Sequence, residues 1–155
     1  MIPPATPEHK FYNSSPEERT AILRELSYTS VSIAYVVIEK NNPASKKFCY
    51  GNELYRNMLR NLLDVAMGQI MSVKDVNVII DGSRFITNDE LRTMGKELAA
   101  KHELNLRKCR KGISSHEPCL RVVDFAAESF HAEYEDDDKT YSEILSEKIS
   151  IARRY

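Results

Sequence analysis

Apolar and polar positions follow two rhythms along this chain. Residues 31–38, VSIAYVVI, are β-branched and apolar with almost no polar interruption. Such a run predicts a strand buried on both faces, as in a sheet covered by helices. A second run, VNVII at 76–80, predicts another buried strand, and it ends in the polar turn Asp81-Gly82-Ser83. Between the two, Leu54, Tyr55, Met58, Leu59, Leu62, Leu63 and Ala66 recur at helical spacing and predict a helix over 52–71. Upstream, Ser15-Pro16-Glu17-Glu18 is a helix start. Ser15 caps free N–H groups, Pro16 suits the first helical position and Glu18 completes a capping box. Ile22, Leu23 and Leu26 then stripe a helix over 16–27. Thr87-x-x-Glu90 is a second capping box, opening a helix to about His102. LNLRKCR, 104–110, alternates partly and predicts a short strand. Pro118 opens a helix to about Tyr134. After the acidic turn Glu135 to Asp138, the spacing of Tyr141, Ile144, Leu145 and Ile149 predicts a last helix.

This order predicts an α/β fold with a partly parallel sheet, built as a single domain over 1–155. It also leaves a thin sheet: two or three strands beneath five helices. A strand as apolar as 31–38 needs neighbours on both edges. Its cover is therefore expected from strands beyond this sequence or from a second subunit in a homo-oligomer. No apolar run approaches the roughly 20 residues of a membrane helix, so no membrane partner is expected. MIPPATPEHK lacks a signal-peptide layout, and Cys49, Cys109 and Cys119 form no CxxC pair. Reduced thiols and a cytoplasmic location are the expectation.

With 22 basic and 23 acidic residues the formal charge is −1. That excludes a protein that coats polyanions with its whole surface, and any nucleic-acid contact must come from a local patch. The densest patch is Arg107, Lys108, Arg110 and Lys111, followed by Ser114 and Ser115. It fits a phosphate backbone, or else a strand edge guarded by charge. Asp81 ends a strand, which is where ligands bind in open α/β sheets. The competing reading is an Asp-Gly turn in which glycine supplies a positive φ. Asp124 falls on a helical stripe with Leu120, Ala127 and His131, beside Val123. A carboxylate on a core-facing stripe is costly unless it is paired, with Arg121 for example, or bound to a metal. Glu128 and His131 follow on the same helix, where a solvated edge competes with a metal site. His116 and Glu117 read as loop or cap residues. Carboxylates near a basic patch suit metal-assisted phosphodiester hydrolysis, because they hold hard cations such as Mg²⁺ or Mn²⁺. Phosphate-loop, dinucleotide and serine-hydrolase motifs are absent.

Three segments carry a family resemblance: Glu8-His-Lys10, Ile79-Ile80-Asp81-Gly82-Ser83, and Leu120-Arg-Val-Val-Asp124-Phe-Ala-Ala. Together with Tyr-x-x-Ile-Leu-x-x-Lys-Ile at 141–149, they resemble the ribonuclease H-like domain family of unknown function that opens with an Asp-Glu-Ser-Gly motif. The resemblance covers most of the chain in order. It implies a three-layer ribonuclease H-like sheet with helices. It also implies a metal-dependent nuclease in which Glu8, Asp81 and Asp124 hold Mg²⁺ or Mn²⁺. Lys10, Arg84, Arg107, Lys108, Arg110, Lys111 and Ser115 would contact the nucleic acid. The chain departs from the pattern in two places. The opening Asp-Glu-Ser-Gly strand and its companions are absent, and Arg121 stands where the family has glutamine. Three readings result: a metal-dependent nuclease or the C-terminal portion of one, a non-catalytic truncated relative that oligomerises or binds, and a small α/β protein binding an anionic molecule near Asp81, Ser83 and Arg84.

Overall fold

The computed structural model describes residues 10–43 and 51–155; Glu8 and Cys49 lie outside them. In chain order the elements are a 3₁₀ turn at Phe11–Asn13, α1 (Pro16–Ser27), β1 (Ile33–Val37), α2 (Gly51–Gly68), β2 (Asp75–Asp81), α3 (Asn88–Lys101), β3 (Asn105–Gly112), α4 (Pro118–Asp136), a 3₁₀ segment at Ser142–Lys148, and β4 (Ile149–Arg154). The fold is mixed α/β. No described helix is long and apolar enough to cross a membrane.

The chain divides into two compact units, each drawn from two stretches. One combines the residues up to Val31 with Ser114–Lys148; the other combines Ser32–Ile113 with Ile149–Tyr155. In the first unit, α1 packs on α4 and on the Ser142–Lys148 segment. The capping box forms as expected: the Glu18 N–H donates to Ser15 Oγ at 3.2 Å, and the Ser15 N–H donates to Glu18 Oε2 at 2.8 Å. Leu23, Leu26, Leu120, Phe125, Phe130 and Leu145 are buried. Phe11 meets Phe125 and Tyr141 edge-on, with centroids at 5.8 and 5.2 Å, and the Arg19 guanidinium sits 4.3 Å from the Phe11 centroid.

In the second unit the strand pairing among the described residues is parallel: β1 with β4, and β2 with β3, in two two-stranded sheets. α2 packs on β1 and α3, and α3 packs on β3. Val76, Val78, Ile86, Leu91, Met94, Leu98 and Cys109 form the core, with Tyr55, Leu59 and Leu63 of α2 against it. Gly95 of α3 lets the strand approach. A Cβ there would stand 2.9 Å from Cys109 Sγ and 3.1 Å from Leu106 Cδ2.

Two expectations are corrected. β1 is half-buried at all five residues rather than buried on both faces, because β4 is its one strand neighbour among the described residues. The last helix is a 3₁₀ segment that gives way to β4 at Ile149. The alternation Ile149-Ser150-Ile151 is a strand rhythm that the helical spacing of Tyr141, Ile144 and Leu145 obscures. The strand expected over 104–110 forms as β3, Asn105–Gly112. The register shifts between Val76 and Asn77, so that Leu106 pairs with Val76 and Lys108 with Asn77, leaving Arg107 as the extra residue.

Candidate functional site

Asp81 is the last residue of β2 and is exposed. Its Oδ1 accepts from the Gly82 N–H at 3.0 Å, and that N–H also reaches the Gly112 carbonyl at 3.1 Å. Among the described residues Asp81 has no cationic partner. The turn does not need glycine for a positive φ: among the described glycines only Gly51 adopts one. Just beyond, Ser83 Oγ accepts from the Phe85 N–H at 3.2 Å. Lys111 Nζ donates to the Ser83 carbonyl at 2.7 Å, and the Lys111 N–H to Asn88 Oδ1 at 3.3 Å. Lys111 therefore fastens this loop and the start of α3. Arg84 is exposed, its guanidinium 5.2 Å from the Phe85 ring centroid.

The strand geometry sorts the basic patch. Leu106 and Cys109 face α3, as their approach to Gly95 shows. Alternation then puts Lys108 and Arg110 on the opposite face, beside Asn77 and Ile79, with Asp81 ending the row. Lys108 and Arg110 are exposed. Arg107 lies 3.1 Å from Asp75, and this guanidinium, followed by the Asn105 amide, holds the Asp75 carboxyl below its ordinary range.

Asp124 stands on α4, in the other unit, half-buried. The stripe expected around it is corrected. Val123 is 59% exposed and Ala127 is exposed, while the buried face runs through Phe125, Ala126, Ser129 and Phe130. Nor does Arg121 pair with it: Arg121 Nε is buried without a hydrogen-bond partner, and Asp124 has no ion pair among the described residues. Glu128 and the exposed His131 face each other at 4.0 Å. His116 is exposed, and Glu117 occupies the N-cap of α4. Lys10 and Ser115 belong to the same unit as Asp124. The Lys10 N–H donates to Asn13 Oδ1 at 2.7 Å, and Ser115 is exposed. Glu8 lies outside the described residues.

Several other carboxylates meet basic side chains. Asp64 meets Lys101 and His102, Glu90 meets Arg56, Glu97 meets Arg60, and Asp89 meets Arg92. Two of these pairs cross a groove of about 480 Å³ between α2 and α3 and neutralise its arginines. The Asp64–Lys101–His102 cluster escapes sequence reasoning, because nothing local links positions 37 residues apart. Among the described residues, no group of three His, Cys, Asp or Glu side chains converges. One carboxylate is nevertheless enough to start a magnesium site. Mg²⁺ keeps several waters and binds through one or two carboxylates together with substrate phosphates. Asp81, exposed and with Oδ2 uncommitted, fits that role.

No family model, no curated protein sequence and no solved structure matches this chain.

Proposed function

We propose that this protein hydrolyses phosphodiester bonds in nucleic acid as a divalent-metal-dependent nuclease of ribonuclease H-like type. One observation carries the reading. Asp81 stands exposed at the carboxyl end of a parallel strand, with no cationic partner among the described residues. The resemblance assigns Asp81 and Asp124, with Glu8, to metal binding. Bound Mg²⁺ or Mn²⁺ would polarise the phosphoryl group and lower the pKa of an attacking water. The chain's own contribution is to hold the phosphate chain with exposed cations and to fix the Asp81 carboxylate. The Gly82 N–H anchors one oxygen and leaves the other for the ion.

The test is cleavage of single- and double-stranded DNA and RNA in Mg²⁺ or Mn²⁺, with calorimetric Mn²⁺ titration alongside. Asp81→Asn and Asp124→Asn should each lower the cleavage rate by more than about 100-fold, the upper range for losing a group that merely orients a metal ligand. Cleavage that survives both substitutions overturns the assignment.

A second reading, a non-catalytic module that oligomerises, is favoured by the half-buried state of β1 along its whole length.

A further inference from the structure

We draw no further inference here: the strongest candidate, the groove between α2 and α3 with the buried Arg56 Nε in its wall, carries nothing, because its two arginines are already paired with Glu90 and Glu97 and nothing in the structure shows what would fill it.

Discussion

Asp64 on α2 takes its partners from the end of α3: Lys101 Nζ at 2.8 and 2.9 Å, and His102 Nε2 at 2.6 Å. Gly68, one turn on, makes room for the imidazole; a Cβ there would lie 3.2 Å from His102 Cε1. Lys101 sits in the last turn of α3, where the helix dipole favours positive charge. The Lys101 ammonium, then the His102 ring, hold the Asp64 carboxyl below its ordinary value. A carboxyl depressed in the folded state contributes stability that is present above its unfolded value, about pH 4, and is lost as pH falls through the folded one. Chemical denaturation from pH 7 to pH 3 should therefore show the parent losing its advantage over Asp64→Asn below about pH 4. The advantage should be about 1 kcal/mol or less, because the group is one-third exposed. Parallel pH profiles for the two proteins count against the clamp. The place of Asp81 at a strand end was legible in the sequence, because an apolar run closed by an Asp-Gly turn is a local signal. The Asp64 cluster was not, because only folding joins its members.

At the scale of elements, Gly95 sets how closely α3 lies on β3. Gly95→Ala gains about 0.5–1 kcal/mol of helix propensity but drives a methyl into Cys109 Sγ. Overpacking typically costs about 1–3 kcal/mol, so a net loss of about 1 kcal/mol is expected in urea denaturation. Adding Cys109→Ala opens the space, so the second substitution should recover much of that loss; additive losses would count against the contact. The helix starts were readable because capping boxes and prolines act within one turn. β4 was hidden, because its partner lies more than a hundred residues upstream and its six residues follow a helical-looking stripe. The Asp124 stripe was misread for a related reason. Periodicity places residues on a helix, but packing decides which flank is covered.

For the molecule as a whole, β1 remains the least satisfied element. Its apolar residues are all half-buried, and a two-stranded sheet leaves one edge without a described strand. Exposed apolar edges invite pairing with another chain. Sedimentation at tens of micromolar should show a mass above that of one chain, decreasing on dilution. A single-chain mass at every concentration removes the oligomerising reading and leaves the nuclease reading untouched.

The pairing of β1 with β4 also has a consequence during synthesis. Ribosomes add about 5–20 residues per second, so β1 emerges on the order of ten seconds before the strand that pairs with it. Throughout that interval the nascent chain carries an unsatisfied apolar β-segment. Chaperones that hold such segments have that window in which to act, and a ribosome stalled before residue 149 should yield a product that is degraded or aggregates rather than one that is half functional.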